Sequence, residues 1–284
     1  MIEIYQIIFF VIFFSFIFFS PINYSLYKKI YGNYNYNIFD IASINIIIFL
    51  SIITILSFTN IKTNFIYYFI ILASLLSHIL NHKKYFIMLK KKIILKLFIF
   101  FIFFNFAIYI NLANNLALGW DSFIHWMPKA VFFYNEGTYQ DLDDYHSLVY
   151  PHLGAYIWAF FWKNSFLDLE YTGRLFYVFI YSVSIFSIST LVLNFNNFNK
   201  KTILRSIIFF ILFFHFFSSS DHLINSSNDH FFGGYQEVLI FSLLVFASKL
   251  FYLIKIKNNI NLNITIIFFT VSYLLIWIKD EGLI

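Results

Sequence analysis

NHKKYFIMLKKKIILKLFIFFIFFNFAIYINLA, residues 81–113, carries the two signals that decide the fold. Its first half holds six lysines, Lys83, Lys84, Lys90, Lys91, Lys92 and Lys96. Its second half is an almost unbroken run of Ile, Phe and Leu. A helix of about 20 apolar residues crosses the ~30 Å hydrocarbon layer of a bilayer, and lysines flanking such runs collect on the cytoplasmic face. The stretch therefore predicts a membrane helix over 93–113 that enters from a cytoplasmic connection, 81–96.

The pattern recurs along the chain. Apolar runs fall at 4–20, 38–58, 65–80, 93–113, 175–193, 206–218, 238–254 and 264–278, the sixth being short for a crossing. Lipid offers backbone groups no partner and the alternation of a barrel strand is absent, so each run is predicted helical. The expected fold class is an all-α polytopic membrane protein with about eight transmembrane helices. Composition agrees: 61% hydrophobic and 12% charged residues exclude an ordinary soluble domain. The 43 Phe and 21 Tyr accompany abundant Ile, Asn and Lys, a coding bias toward AT, so their number is not a functional signal. Zero Cys removes disulfides, thiolate catalysis and cysteine metal sites. The net charge of +5 is no nucleic-acid footprint, because the lysines sit at the ends of apolar runs. Glu3 is the sole charge before Phe19 and no small-residue cleavage site follows, so the first run reads as a retained span.

Lys28 and Lys29, the connection 81–96, the group Lys200, Lys201 and Arg205, and the group Lys249, Lys255 and Lys257 all mark cytoplasmic turns. They alternate consistently when 114–174, 218–237 and the C-terminal end face outward. The reading is one membrane domain, 1–284, with N-terminal spans in 1–92 and a core in 93–284 that includes the outer loop 114–174. Within that loop, 122–135 and 153–162 are apolar over much of their surface. They are predicted to be helices lying in the interface, with Trp120, Trp126, Trp158 and Trp162 as headgroup-level anchors.

The outer loop is where the chain turns polar. Seven of its 14 acidic residues lie between Asn114 and Gly173, against Lys129 and Lys163. Asp121 stands just outside the run 93–113, where a carboxylate is costly without a partner or a task. His125 and Lys129 follow at helical spacing and share its face, unless Pro128 opens a new helix; a solvated interfacial helix accounts for the same charges. His146 and His152 flank Tyr150-Pro151, and six residues apart they make a poor helical metal pair. Asp141, Asp143 and Asp144 do not fit a calcium loop and read as an exposed turn. Asp221-His222 and Asp229-His230 belong to a polar loop. Glu237 falls in the first turn of the next helix, where the helix dipole is reason enough for it. Lys279, Asp280 and Glu281 close the last run, either as a stop or as part of a cleft shared with Asp121.

Four blocks then stand in order: Trp120-Asp121-Ser122-Phe123-x-x-Trp126-x-x-Lys129-Ala130, Tyr150-Pro151, Gly234-Tyr235-Gln236-Glu237, and Lys279-Asp280-Glu281-Gly282. In these blocks the chain resembles bacterial polytopic glycosyltransferases of the GT-C superfamily, a group that includes protein O-mannosyltransferases and aminoarabinose transferases. The likeness covers about residues 93–284. It implies a catalytic carboxylate at Asp121, a polyprenyl-phosphate sugar donor delivered from the lipid side, and a lipid or glycan acceptor. The implied location is the bacterial inner membrane with the catalytic loop on the periplasmic side. His125, Lys129, His152, Arg174, Glu237, Lys279, Asp280 and Glu281 are the candidate substrate-binding residues. Positive charge for the departing phosphate would come from Lys129, His152, Arg174, Lys279 or a divalent cation. Arg174 is attractive because a guanidinium grips phosphate bidentately, although snorkelling explains it equally well. Glu237 departs from the family's usual Asp. The chain stops two residues after the last block, where relatives continue, which implies a truncated or split and inactive remnant as one alternative. An envelope polysaccharide polymerase and a transporter are the others; Asn105 and His215 are the isolated polar residues a transporter could use.

Overall fold

The computed structural model describes residues 4–31, 38–89, 92–114, 118, 122–142, 150–165, 168–193, 204–212, 236–257 and 262–278. These residues are helical with short connections, and among them there is no strand. The helices are α1 (Ile4–Phe18), α2 (Tyr24–Tyr31), α3 (Ile38–Leu56), α4 (Thr63–Leu89) and α5 (Lys92–Asn114). They continue with α6 (Met127–Tyr134), α7 (Leu153–Lys163), α8 (Glu170–Val192), α9 (204–212), α10 (Gln236–Lys257) and α11 (Leu262–Ile278). Four helical stretches, Ile4–Ile30, Ile38–Leu56, Thr63–Asn81 and Glu170–Thr190, are long and apolar enough to cross a membrane. Leu95–Ile110, Val238–Tyr252 and Leu262–Ile278 are shorter apolar helices.

α8 is the axis of the bundle, packing against α3, α5, α7 and α10. It is buried on every side, which suits a sequence with no polar stripe. Its hydroxyls are satisfied within the helix: Ser182 donates to Val178 O, Ser184 to Tyr181 O and Ser189 to Phe186 O. That back-bonding lets serine sit in an apolar interior without a partner on another helix. Phe14 and Phe18 of α1, Phe49 of α3, Phe161 of α7 and Phe176 and Phe179 of α8 interlock around it, with ring centroids 5.1–5.9 Å apart in pairs such as Phe14–Phe161, Phe14–Phe176 and Phe18–Phe49.

The first run breaks where Pro21 opens a single 3-10 turn, Pro21–Asn23. A helix end leaves carbonyls without partners, which is expensive in an apolar bundle. Asn45 of α3 answers them. Its amide donates to Phe18 O at 2.8 Å and Ser20 O at 2.9 Å, while its oxygen accepts from Tyr27 Oη at 2.6 Å and Asn23 Nδ2 at 3.0 Å. All four capacities of one buried amide are used.

Polar contacts sort the helices into two ends. Tyr171 Oη donates to Gln6 Oε1, and Ser57 meets His152, at one end. At the other, Lys249 of α10 pairs with Asp40 of α3, and His78 of α4 bonds Phe16 O at 2.9 Å. This antiparallel arrangement agrees with the alternating directions that the lysine pattern predicts.

Three expectations change. The connection 81–96 is largely helix, because α4 continues to Leu89 and α5 begins at Lys92. Lys249 is no turn marker: it is buried, paired with Asp40, and also donates to Ser187 O at 3.2 Å, Ser187 Oγ at 3.1 Å and Thr190 Oγ1 at 3.1 Å. α7 is helical as expected, but every residue from Leu153 to Phe161 is buried between α3, α6 and α8. Trp158 is fully buried and Trp126 nearly so, and protein rather than lipid headgroups surrounds them. Gly173 permits this close docking, since a Cβ there would lie 2.3 Å from Trp158 O.

Candidate functional site

The segment from Ser122 folds as a five-residue π-turn, Ser122–Trp126, followed by α6 with Pro128 in its first turn. The π-helical segment passes into α6 without a gap, and Pro128 sits in the first turn of the α-helical part, where its missing N–H is tolerated. Lys129 faces inward. It is fully buried, and its ammonium donates to Tyr150 O at 2.6 Å and lies 5.6 Å from the Trp126 ring centroid. Tyr150 packs on the same segment, 5.1 Å from His125 and 5.7 Å from Trp126. Burial draws the Lys129 ammonium down to about 8, which leaves it mainly cationic at neutral pH.

His152 follows Tyr150-Pro151 and immediately precedes α7. It is fully buried, with Nε2 2.8 Å from Ser57 Oγ at the end of α3. Ser57 Oγ also lies 2.7 Å from Thr54 O, a contact between oxygens that requires the hydroxyl proton between them. The imidazole thus donates through Nε2–H, and Nδ1 keeps its lone pair. Four rings enclose it: Tyr139 at 4.2 Å, Phe58 at 5.5 Å, Trp277 at 5.7 Å and Phe133 at 6.0 Å. Neither His152 Nδ1 nor Trp277 Nε1 has a hydrogen-bond partner. Burial, reinforced by the charge of Lys129, drives the imidazole down to about 3. It is neutral at physiological pH. The expectation that His152 lends positive charge to a phosphate is thereby corrected; Lys129 is the cation of this cluster.

Arg174 is held on α8. Its guanidinium grips Glu170 through both oxygens, at 2.6 and 2.5 Å, and lies 5.5 Å from the Trp158 ring centroid. It is buried and ion-paired rather than snorkelling. Its charge is already neutralised where it stands.

The structure thus brings together His125, Lys129, Tyr150 and His152. Asp121, His146, Asp143, Asp144, His215, Lys279, Asp280 and Glu281 lie outside the described residues, as do Asp221-His222 and Asp229-His230. Glu237 falls in the first turn of α10, as expected. Asp141 accepts from Thr138 Oγ1 at 2.5 Å and from Thr138 N at 3.1 Å, and those bonds hold its carboxyl below the usual range. It caps a turn, as an exposed acidic loop should. Among the described residues no three His, Asp or Glu side chains converge as a metal site. Ser57, Phe58, Tyr139 and Trp277 were not legible as site residues. Nothing in a Ser-Phe-Thr-Asn turn after an apolar run distinguishes it from an ordinary span end.

No family model matches the chain, and comparison with curated proteins and with solved structures finds no significant match.

Proposed function

We propose that this protein is a membrane glycosyltransferase that moves a sugar from a polyprenyl phosphate to an envelope acceptor, with about eight membrane-spanning helices and its reactive loop on the outer face of a bacterial inner membrane. One observation carries the proposal: the hydrogen bond from Lys129 to Tyr150 O joins two sequence blocks that are 21 residues apart. Trp277, two residues before Lys279, packs on His152 beside them. Two of the four blocks that bear the glycosyltransferase resemblance therefore meet at one end of the bundle, with the end of α11 beside them.

In this reading Asp121 takes the proton of an acceptor hydroxyl as its oxygen attacks the anomeric carbon. The bond from that carbon to the phosphate oxygen breaks, the configuration inverts, and polyprenyl phosphate leaves. The transition state is oxocarbenium-like, so a nearby carboxylate also stabilises it. Lys129, buried and cationic, offsets charge on the departing phosphate, where low polarity strengthens the interaction. His152 sits neutral behind it and shapes the wall. The two loop helices frame the site, α7 from within the bundle. Membrane lipid surrounds the apolar helices, and α4, which is mostly exposed, faces it most fully.

The test is transfer from labelled polyprenyl-phosphate sugars by membranes containing the full chain. Asp121→Asn is expected to abolish transfer with expression intact, and turnover equal to wild type would remove Asp121 from this role. Lys129→Met is expected to lower kcat by about 10²–10³, the range for losing one charge-stabilising group.

A further inference from the structure

We propose that the partly exposed rings of Tyr134 and Trp162, with the carboxylates of Glu136 and Asp168 beside them, form a binding platform for a neutral carbohydrate chain. The platform follows from how α6 and α7 lie. The two helices run side by side in the same direction. Lys129 in the first turn of α6 bonds Tyr150 just ahead of α7, and Tyr134 at the C-terminal end of α6 packs on Trp162 at the C-terminal end of α7. There the rings are 4.5 Å apart between centroids and tilted by 36°.

The platform is held rigid from several sides. Tyr134 Oη donates to Asp168 Oδ1 at 2.6 Å. Lys163 donates to Tyr134 O and to Glu136 Oε1, both at 2.9 Å, and its ammonium lies 5.9 Å from the Tyr134 ring centroid. Glu136 and Asp168 both occupy the left-handed region, with φ of 72° and 47°. Ring placement fixed in advance leaves little side-chain entropy to lose on binding.

The chemistry selects the ligand class. A sugar ring presents C–H groups on its face and hydroxyls around its edge. Aromatic faces carry negative charge density and attract such polarised hydrogens. Exposed carboxylates accept from hydroxyls, and the phenol and ammonium complete a rim of both donors and acceptors. The rival occupant is the lipid headgroup layer, where Trp and Tyr also gather. The rim argues against it: the carboxylates of Glu136 and Asp168 are balanced by the ammoniums of Lys163 and Lys62, so no net positive charge is left to hold an anionic headgroup. A neutral polyhydroxylated chain needs none.

The ten residues of α7 between the two ends span about 15 Å, so a short glycan seated here can extend toward Lys129 and His152. The role of acceptor subsite rests on the transferase reading; the binding does not.

The experiment uses the full chain in phosphatidylcholine nanodiscs, with maltotetraose, chitotetraose and mannotetraose as probes, followed by saturation-transfer NMR and titration. At least one tetrasaccharide is expected to bind, with contact through ring C–H groups. Trp162→Leu is expected to weaken that binding about tenfold, which corresponds to 1.4 kcal/mol. Asp168→Asn, an exposed change that leaves the thermal midpoint in place, is expected to weaken it about threefold. Absence of binding by all three probes overturns the proposal. So does binding that neither variant alters, or Trp162 emission quenched by brominated lipid with no sugar bound, which would identify a headgroup anchor. No donor and no turnover enter the measurement, so its failure and a failure of the transfer assay are read separately.

Discussion

Lys249→Met is the sharpest probe of how the bundle is held together. Lys249 and Asp40 are both buried, with side-chain exposures of 7% and 3%, and they join helices 209 residues apart in sequence. Removing one member of such a pair costs about 3–5 kcal/mol, because the survivor keeps a charge in an apolar setting. The expected loss for Lys249→Met is therefore about 3–5 kcal/mol. Asp40→Asn should cost less, about 2 kcal/mol, because the ammonium keeps Ser187 O, Ser187 Oγ and Thr190 Oγ1 within 3.2 Å. The double variant Asp40→Asn/Lys249→Met holds no unbalanced charge and should fall short of the sum of the singles by at least about 2 kcal/mol. Unfolding by SDS in mixed micelles, followed by tryptophan emission, measures all three. Additivity within about 0.5 kcal/mol, or a larger loss from Asp40→Asn than from Lys249→Met, would refute the reasoning.

Two further outcomes test the site end. His152 titrates near 3 when folded against an ordinary 6.5, so the unfolded chain binds the proton first as pH falls through that window. Stability should drop by up to about 1.4 kcal/mol per pH unit between those values, and His152→Phe should remove that slope; an unchanged acid profile in the variant would contradict the neutral, caged imidazole. Gly173→Ala places a methyl 2.3 Å from a backbone oxygen of α7, so a loss of about 1–3 kcal/mol is expected in the same micelle assay, and wild-type stability would show that α7 and α8 do not dock this closely.

The helices were largely legible. The eight apolar runs are helical over nearly all of their described residues, because lipid-compatible length and composition are local properties of the chain. The break at Pro21 also follows from one residue. Boundaries were less so: α4 extends through a lysine-bearing segment that hydropathy alone assigns to a loop. The site was legible in part. His125, Lys129, Tyr150 and His152 belong to blocks that the sequence singles out, yet the neutrality of His152 and the pairing of Arg174 depend on what surrounds them.

From sequence alone come the apolar character, the helical runs, the alternation of their directions and the polar loop that follows the fourth run. All of these need only a window of neighbours. The tertiary structure alone decided that α7 lies inside the bundle, that Lys249 neutralises Asp40, and that His152 rests on Ser57, 95 residues away. The physical reason is the solvent. A helix in water shows its partner-facing side as an apolar stripe, but a helix suited to lipid is apolar all round. Its hydropathy reports that it is a helix and stays silent on which face meets which neighbour. A buried lysine or histidine then reads the same as an exposed one until the chain folds and supplies, or withholds, a partner.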